Sequence, residues 1–497
     1  MRAYLCAVKY PYTHSGKEDL MSGTYNSGGQ GALIEAKSQL IEHLSAGEKP
    51  ASQFRIGTEH EKFGFSTDGH RPLAYEGEGP SVRKMLEGLT RFGWQPIEEN
   101  GKPVALKRDG GSITLEPGGQ FELSGAPLET LHETCREVNG HLREVREVAD
   151  EIGAGFLGLG FSPKWSLEET PMMPKDRYQI MKAYMPNVGS MGHQMMFRSC
   201  TVQTNLDFSS EADMVKKLRV SIALQPVATA LFANSPFKDG GLNGFKSYRA
   251  HVWTDTDNAR TGDLPFVFEE GFGYEQYVDW AREAPMYFVK RDGVFLDASG
   301  QDFRAFLKGE LPALPGQLPH MSDWEDHLST LFPEVRLKTF IEQRGADGGP
   351  WNRLCALPAF WVGLLYDQSA LDAAWTYVKD WTAEERAALR TGAAKHALKT
   401  PFRGGTLQDV AKDILAISRS GLKARAKLNA HGEHEALFLD DLDEIAATGI
   451  SPAERLIERF EGDWGGSVEP VFKEPRPCRS SRRRARRVRP RRPRGHA

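Results

Sequence analysis

Residues 54–65 read FRIGTEHEKFGF and residues 112–125 read SITLEPGGQFELSG. Both stretches alternate apolar and polar residues between Gly or Pro, a pattern typical of β-strands. Successive residues of a strand face opposite sides of the sheet, so Glu59 and Glu61 should share one face while His60 faces the other. The first stretch therefore predicts two carboxylates side by side on a strand.

The second stretch repeats this arrangement. Gln120 and Glu122 should share a strand face, and Glu116 lies just before a Pro-Gly-Gly turn. Neighbouring carboxylates repel, so in an enclosed cleft they need a cation, and all-oxygen ligands favour magnesium or manganese over zinc. A solvated strand edge is the simpler explanation of one such pair alone, but two segments of this kind bring the two interpretations into balance.

Two further segments place polar side chains on strand faces. In CTVQTNLD, Thr201, Gln203 and Asn205 line one face and could bind a substrate without adding charge, although a polar strand face in the core explains them as well. In FIEQRG, Glu342 and Arg344 share a face, where the glutamate could bind a metal and the guanidinium could hold a carboxylate or phosphate. A simple salt bridge between these two residues is the equal alternative.

A predicted loop, YRAHVWTDTDNARTG, contributes Arg249 and Arg260, which suit anionic substrate groups; an exposed cluster of salt bridges is the competing explanation. The sequence has no GxxxxGK[ST] loop, and GAGFLGLG at 153–160 lacks the acidic residue and strand context of a dinucleotide site, so it predicts a turn and a strand. No Ser or Cys lies in a GxSxG elbow. Carboxylates on strands therefore remain the main functional signal.

The remaining segments predict a single α+β domain with helices around an antiparallel sheet. Apolar residues recur at helical spacing in 32–44 and 128–152, and a long helix should begin at Ser210. The other expected elements are a strand at 196–208, a large loop region at 234–316, a strand-like segment at 325–344 and helices from Pro350 to about residue 460.

Charge is unevenly distributed along the 497 residues. The net charge is −4, yet residues 475–497 hold eleven Arg and no acidic residue, so the rest of the chain carries about −15. An acidic body argues against nonspecific nucleic-acid binding, which Lys and Arg drive. The five cysteines form no CxxC or Cys/His motif, which predicts neither a zinc site nor a disulfide scaffold, and a cytoplasmic protein is expected. No apolar run reaches the roughly 20 residues that span a bilayer, so no membrane partner is predicted.

Seven segments stand in a consistent order along the chain: RIGTEHEKFGF, ITLEPGGQFELSG, CTVQTNLDFSSEADMVKKLR, ALQPVATALFANSPF, HVWTDTDNARTG, FPEVRLKTFIEQRGADGGPW and LCALPAFWVGLLYD. Together they resemble the plant-type glutamate-cysteine ligases, a family that also has bacterial members. The resemblance runs over about residues 32–474, which are expected to form the catalytic domain. It implies a glutamine-synthetase-like carboxylate-amine ligase core, in which a curved antiparallel sheet surrounded by helices carries carboxylates that hold magnesium around ATP.

The resemblance also implies a reaction and a set of site residues. ATP would phosphorylate the γ-carboxylate of glutamate, and the amino group of cysteine would attack the acyl phosphate, the first step of glutathione biosynthesis. ATP is thus the expected co-substrate, and Mg²⁺, with Mn²⁺ as a substitute, the expected metal. Matched by motif, the implied metal ligands are Glu59, Glu61, Glu116, Glu122 and Glu342. The implied catalytic residues are Arg198, Arg260 and Arg344, the nucleotide contacts Arg344 and Gln120, and the substrate contacts Gln203, Asn205, Arg249, Trp253 and Tyr287.

Partners and regulation are less specified. The expected partners are the small substrates alone, and the protein is expected to be a monomer or a homodimer. Plant members are redox-regulated through disulfides, but no such pair can be placed from this sequence: Cys200 and Cys355 lie in family-like segments, where each could be a buried small apolar residue. We therefore predict no redox switch.

Both ends of the chain depart from the family pattern. Residues 1–31 are rich in Gly, Ser, Tyr and Thr and predict a disordered arm, and residues 475–497 alternate Arg and Pro, which also predicts disorder. The tail has the composition of a frameshifted end; nucleic-acid binding through its arginines is the alternative function. A ligase that joins glutamate to a different amine is a second alternative, closer in chemistry.

Overall fold

The structure is a computed structural model that describes residues 31–473; apart from Gly31, the predicted arm and the predicted Arg/Pro-rich tail lie outside the described residues. The strands are β1 Ile56–His60, β2 Phe63–Ser66, β3 Gln95–Glu99, β4 Lys102–Arg108, β5 Gly111–Leu115, β6 Phe121–Ser124, β7 Ala154–Leu157, β8 Thr201–Leu206, β9 Phe237–Lys238, β10 Gly241–Leu242, β11 Thr261–Gly262, β12 Phe288–Arg291, β13 Val294–Asp297, β14 Phe332–Pro333, β15 Val335–Leu337, β16 Ile341–Asp347, β17 Pro401–Phe402 and β18 Gly405–Thr406. The α-helices are α1 Lys37–Ser45, α2 Val82–Leu89, α3 Leu131–Ile152, α4 Asp176–Tyr184, α5 Gly192–Arg198, α6 Glu211–Leu231, α7 Tyr248–Val252, α8 Tyr274–Glu283, α9 Phe303–Phe306, α10 Met321–Ser329, α11 Ala356–Leu365, α12 Gln368–Val378, α13 Ala383–His396, α14 Leu407–Arg425, α15 Asp440–Thr448 and α16 Pro452–Glu461.

Eight strands form one antiparallel sheet, in the order β15, β16, β8, β1, β6, β5, β4, β3. At its centre β1 pairs with β8, with Glu59 opposite Gln203. On the other side of β8, β16 places Glu342 opposite Asn205. Directly opposed residues of antiparallel strands point to the same face, so these polar side chains lie on one side of the sheet. The predicted α+β class, an antiparallel sheet surrounded by helices, is confirmed.

The opposite face of the sheet is covered by helices. The largest hydrophobic core joins Ile56, Val202 and Leu206 of the central strands to α3, α6 and α11. Every residue of α11 is buried, as expected for a helix that is apolar all round. The long helix α6 begins as predicted after Ser210, whose hydroxyl accepts a hydrogen bond from the amide of Asp213. Helices on this face leave the carboxylate face free for a cavity.

The first predicted strand is two strands. β1 ends at His60, and β2 begins at Phe63 and pairs with β7 in a separate sheet. Glu61 lies in the break, where its amide still donates to the carbonyl of Thr201, so it keeps the orientation that an unbroken strand predicts. His60 faces the other side as predicted, with its ring against His141 of α3.

Other predictions of the elements had mixed outcomes. The helix predicted at 128–152 and the helices beyond Pro350 are present, whereas the first helix begins only at Lys37. The region 234–316 is not one loop: it contains α7, α8, α9 and the hairpin β12–β13. Tyr277 of α8 and Phe303 of α9 are fully buried, so this region contributes to a second hydrophobic core, which it shares with α1, α6 and the β15–β16 edge of the sheet.

Two cysteines meet that the sequence did not pair. Cys135 on α3 and Cys355 before α11 are 220 positions apart, and their sulfur atoms lie 2.6 Å from each other. Both are free thiols in the structure. Within residues 31–473, no single helix is long and apolar enough to cross a membrane; the segments Trp351–Leu365 and Gln368–Val378 reach that length and composition only jointly, across an 89° bend.

Glu137 on α3 is a buried carboxyl behind the sheet. Its Oε1 accepts a hydrogen bond of 2.9 Å from the amide of Ala126, and its Oε2 has no partner. The packing is tight, because a Cβ placed on Gly125 would lie 2.3 Å from that Oε2. Burial raises the pKa of Glu137 to about 7. The folded protein therefore favours the neutral carboxyl.

We expect Glu137→Gln to increase the free energy of unfolding at pH 8, by up to about 3 kcal/mol, and to change it little at pH 5. The raised pKa means that the wild-type carboxyl contributes its stability in full below pH 4.5 and loses that contribution as pH rises through about 7. Urea unfolding at the two pH values measures the difference. Glu147→Gln, at an exposed position of the same helix, is the control and should behave alike at both; a loss of stability in Glu137→Gln at pH 8 would contradict the assignment.

Candidate active site

A cavity of about 150 Å³ lies over the free face of the sheet. All five predicted metal ligands line it, from β1 and the break after it, the β5–β6 turn and strand, and β16: Glu59, Glu61, Glu116, Glu122 and Glu342. The alternation of the strands thus brings together carboxylates that are up to 283 positions apart in the sequence.

Neutral side chains hold Glu59 at the centre of the sheet. Asn205 donates to its Oε1 at 2.7 Å, and Gln203 approaches its Oε2 at 3.4 Å. The carbonyl of the Gln203 amide in turn accepts 2.7 Å from the guanidinium of Arg344. Gln203 and Asn205 therefore act on the carboxylates of the site, and they fix both Glu59 and the arginine beside it.

Burial, and after it the charge of a neighbouring glutamate, raises the pKa of three glutamates of the cavity. Burial, then the charge of Glu342, raises the pKa of Glu59. Burial, then Glu116, raises the pKa of Glu61 to about 8. For Glu122 burial acts first and Glu59 second, and its pKa lies well above the ordinary value. None of these three, nor Glu116, forms a salt bridge within residues 31–473. The ionised forms of Glu59, Glu61 and Glu122 are therefore disfavoured as long as no cation is bound.

Glu342 has a different environment. Arg336, directly opposite it on β15, binds its two oxygens at 2.5 and 2.9 Å, and Arg344 lies 3.2 Å from one of them. Burial would raise the pKa of Glu342, but these guanidinium groups outweigh burial and hold the pKa below its ordinary value. Glu342 is therefore already charge-compensated, unlike the other four carboxylates.

The donor set fits a hard divalent cation. Carboxylate oxygens are the ligands that Mg²⁺ and Mn²⁺ prefer, and a cation would relieve the repulsion that raises the three pKa values. Glu122 hydrogen-bonds to Glu59, and the charge of Glu116 acts on Glu61. No group of three or more His, Cys, Asp or Glu side chains in the described part of the chain is already arranged as a complete ligand set. The sequence prediction of a metal site is thus supported by charge and ligand chemistry.

More cationic side chains line the cavity than the sequence predicted. Arg249 and Arg344 line it as expected, and Arg177, Arg336 and Lys338 line it without having been singled out. Burial and the neighbouring Arg336 lower the pKa of Lys338 to about 8. The spacing of Arg336 and Lys338 in VRLKTF could have signalled a shared strand face; nothing in the local sequence marks Arg177.

Three predicted contacts line the cavity in different states. The indole Nε1 of Trp253 and the Nε of Arg249 are buried and have no hydrogen-bond partner among the described residues, and both residues line the cavity. The amide of Gln120 is fully used: it donates to the carbonyls of Met196 and Ser199 and accepts from the amide of Gly118. Gln120 therefore shapes the Pro-Gly-Gly turn, and its contact with the nucleotide stays a prediction.

Four predicted residues lie outside the cavity lining. Arg198 is buried against Phe161 and pairs with Asp239 at 2.6 Å. Arg260 is fully buried, pairs with Asp257 and lies over the ring of Tyr287, whose hydroxyl donates to the same aspartate. In the structure Arg198 and Arg260 each pair with an aspartate and Tyr287 donates to Asp257, and the direct roles expected of these three residues stay predictions. Asn205, the fourth, is connected to the site by its hydrogen bond to Glu59.

The antiparallel sheet and the carboxylate-lined cavity on one of its faces belong to a carboxylate-amine ligase, the class that the family match defines. The model of glutamate-cysteine ligase family 2 (GCS2) matches residues 55–474, and the chain belongs to this family.

Curated relatives support the family assignment. The chain is 56% identical over 439 residues to the chloroplastic glutamate-cysteine ligase of Arabidopsis thaliana, which covers 88% of this chain and 82% of that protein. It is 55% identical to the enzyme of the same name from Solanum lycopersicum and 56% identical to chloroplastic glutamate-cysteine ligase B of Oryza sativa subsp. japonica, with 82% and 86% of those proteins covered.

A solved structure shows that the fold is shared more widely. The glutamate-cysteine ligase of Francisella tularensis in complex with AMP has a TM-score of 0.52 and 11% identity, with 86% of this chain and 88% of that chain covered. At that identity the likeness concerns the fold alone.

Two substitutions of the same kind should have opposite effects on stability. We expect Glu122→Gln to raise the melting temperature by a few degrees in EDTA at pH 7.5. Burial and neighbouring glutamates raise the pKa of Glu122 in the folded protein, so ionisation at this pH favours unfolding of the wild type and not of the variant. We expect Glu342→Gln to lower stability by about 3 kcal/mol, because it leaves Arg336 buried beside a neutral group. Thermal unfolding followed by circular dichroism measures both.

The same variants test the metal site. Mg²⁺ should raise the melting temperature of the wild type and should raise that of Glu122→Gln much less, since ligand binding stabilises the folded state. Glu144→Gln, on the covered side of the sheet, should keep the wild-type response to Mg²⁺. Equal Mg²⁺ responses in the wild type and Glu122→Gln would remove Glu122 from the set of ligands.

Proposed function

We propose that this protein joins the γ-carboxylate of glutamate to the amino group of cysteine at the expense of ATP, through γ-glutamyl phosphate. The observation that carries the proposal is one cavity in which four carboxylates without a cationic partner face five cationic side chains, in a chain of the glutamate-cysteine ligase family. Such a cavity suits a reaction in which two anions, a triphosphate and a carboxylate, must meet.

In the first step an oxygen of the glutamate γ-carboxylate attacks the γ-phosphorus of ATP, and ADP leaves with the electron pair of the broken P–O bond. Phosphoryl transfer needs mainly positioning and charge stabilisation. Arg336, Lys338 and Arg344, grouped at the β15–β16 hairpin, are our candidates for orienting the phosphates. Arg344 is fixed for this by Gln203 and Glu342, at 2.7 and 3.2 Å.

In the second step the neutral amine of cysteine attacks the acyl carbon, the bond from that carbon to the phosphate oxygen breaks, and inorganic phosphate leaves with the electron pair. The proton released from the nitrogen passes to the departing phosphate. Arg249 and Trp253 offer buried N–H groups without partners at the cavity, and we assign them to the carboxylates of the amino-acid substrates. A guanidinium is suited to this because it binds a carboxylate through two parallel hydrogen bonds. A buried donor that only the substrate can satisfy also discriminates against ligands that lack the acceptor.

We assign the metal ligands to Glu59, Glu61, Glu116 and Glu122, with Glu342 shared with Arg336. Bound Mg²⁺, or Mn²⁺ in its place, supplies neutralisation of the phosphate charges and alignment of the phosphate oxygens. Glu59, Glu122 and Glu342 lie on strands of the central sheet, and Glu61 and Glu116 lie directly beside strand ends, so the scaffold positions all five. The catalytic domain is proposed to span residues 32–474, and its partners are the small substrates.

The most specific part of the proposal is that cysteine is the amine acceptor. The chloroplastic relatives carry cysteine in their names, and the relation to them, at 55–56% identity, supports the same acceptor here. Localisation does not follow in the same way: the plant relatives are named chloroplastic, and a cytoplasmic location for this chain stays a prediction.

We expect phosphate release from ATP only when glutamate, cysteine and Mg²⁺ are all present. A coupled phosphate assay with each component omitted in turn measures this, and mass spectrometry identifies γ-glutamylcysteine. Glycine and 2-aminobutyrate, offered in place of cysteine, test the acceptor. Faster turnover with either than with cysteine would contradict the cysteine assignment while leaving a glutamate-amine ligase.

A further inference from the structure

Asp347, the last residue of β16, is a buried carboxylate that the reaction does not use. Its Oδ2 accepts from the amide of Asn234 at 2.8 Å and from the hydroxyl of Ser235 at 2.7 Å. Its Oδ1 accepts from the hydroxyl of Ser247 at 2.7 Å. The residue is fully buried, and a Cβ on Gly160 would lie 2.4 Å from its carboxyl carbon. Both oxygens of Asp347 must therefore act as acceptors. A carboxylate has two acceptor oxygens, whereas an amide has one.

The two serine hydroxyls connect the carboxylate of Asp347 to the start of α7. Ser247 is the N-cap of α7, and its oxygen accepts from the amide of Ala250 while its proton goes to Asp347. The oxygen of Ser235 accepts from the backbone amide of Arg249 at 3.2 Å, and its proton also goes to Asp347. One carboxylate therefore fixes two amides in the first turn of the helix that carries Arg249.

The far end of Arg249 reaches the cavity. Its Nη2 donates to the carbonyl of Arg344 at 2.9 Å, its Nε is buried without a partner, and its charge acts on Glu61. α7 has only five residues, so its own backbone hydrogen bonds cannot hold it in place. The orientation of the guanidinium consequently depends on how the start of the helix is tied to the sheet.

We propose that Asp347 is a positioning residue for the ligase reaction: through two serine hydroxyls it orients the guanidinium of Arg249 toward the anionic substrate groups. The inference rests on the proposed assignment of Arg249 to the substrates. It concerns a residue outside the cavity, on the same strand as Glu342 and Arg344. A well-aligned guanidinium at the reacting groups matters because a displacement of about 1 Å can reduce a rate on the order of 100-fold.

The test is a double-mutant cycle of Asp347→Asn and Arg249→Met, measured as kcat and KM for glutamate at saturating ATP, Mg²⁺ and cysteine. Asn has the same shape but cannot accept on its amide nitrogen, so one of the three donors loses its acceptor. We expect Asp347→Asn to lower kcat/KM on the order of 10-fold or more, and Asp347→Asn in the Arg249→Met background to lower it little further. Effects that multiply in the double variant would overturn the proposal.

Controls separate positioning from a general loss of stability. Ser418→Ala removes another fully buried serine hydroxyl, which bonds to the carbonyl of Phe360 far from the cavity; it should lower the melting temperature and keep wild-type kcat and KM. Ser235→Ala removes one arm of the relay and keeps the buried carboxylate, so it replaces Asp347→Asn in the cycle if that variant does not fold.

The outcomes also separate this inference from the proposed function. Wild-type kinetics in Arg249→Met would overturn the assignment of Arg249 and the inference with it. Impaired Arg249→Met with wild-type kinetics in a folded Asp347→Asn would overturn the positioning role alone and leave the proposed function intact.

Discussion

Mutual repulsion between carboxylates on one face of the central sheet is the constraint on which the site depends. Glu59, Glu61 and Glu122 are buried, and burial and their neighbours raise the pKa of each. Holding such groups together costs free energy, which the core behind the sheet must offset. The helices α3, α6 and α11 cover that side with a continuous hydrophobic core, and α11 has no exposed residue. The hydrophobic core on one face of the sheet thus offsets the free-energy cost of holding the carboxyl groups together on the other face.

The carboxylates of the cavity differ in how far cationic side chains compensate their charge, so two regions of the cavity differ in charge. At the β15–β16 edge, Glu342 is compensated by Arg336 and Arg344, so this edge carries a surplus of fixed positive charge with Lys338 beside it. At the centre of the sheet the glutamates have only neutral partners such as Asn205. One edge therefore suits anions, and the centre suits cations. A metal-bound triphosphate needs both within one enclosure.

The two-residue period of strands was enough to predict most of the carboxylate face. It placed Glu59 with Glu61 and Gln120 with Glu122, and it did so even where β1 breaks at Glu61, because a hydrogen bond to Thr201 continues the ladder across the break. Periodicity alone could not give the glutamine-synthetase-like core; that expectation came from the family resemblance. It also could not reveal that Gln120 has no free donor, since its acceptors come from a distant segment.

Cross-strand and buried pairs account for what the sequence did not disclose. Arg336 opposes Glu342 only because a tight turn joins β15 and β16 in that register, and register depends on turn geometry that a pattern of residue types leaves open. Arg260 and Tyr287 resembled substrate contacts by residue type, yet they satisfy each other through Asp257 in the interior. Residue type identifies what a side chain can bind, whereas the tertiary fold decides whether a neighbour already occupies it.

The bulge in β16 explains how one strand carries both Glu342, which lines the cavity, and Asp347, which positions a residue of the cavity from outside it. Glu342 opposes Asn205 and Asp347 opposes Thr201, and the register shifts between Gln343 and Ala346. Residues five apart on a regular strand face opposite sides, so the extra residue of the bulge is what turns Asp347 to the side of Glu342. The bulge also frees the carbonyl of Arg344 to accept from Arg249. A single irregularity in the ladder thus joins the arginine that lines the cavity to the strand that carries the carboxylates, which is why a regular strand in its place could not support the same site.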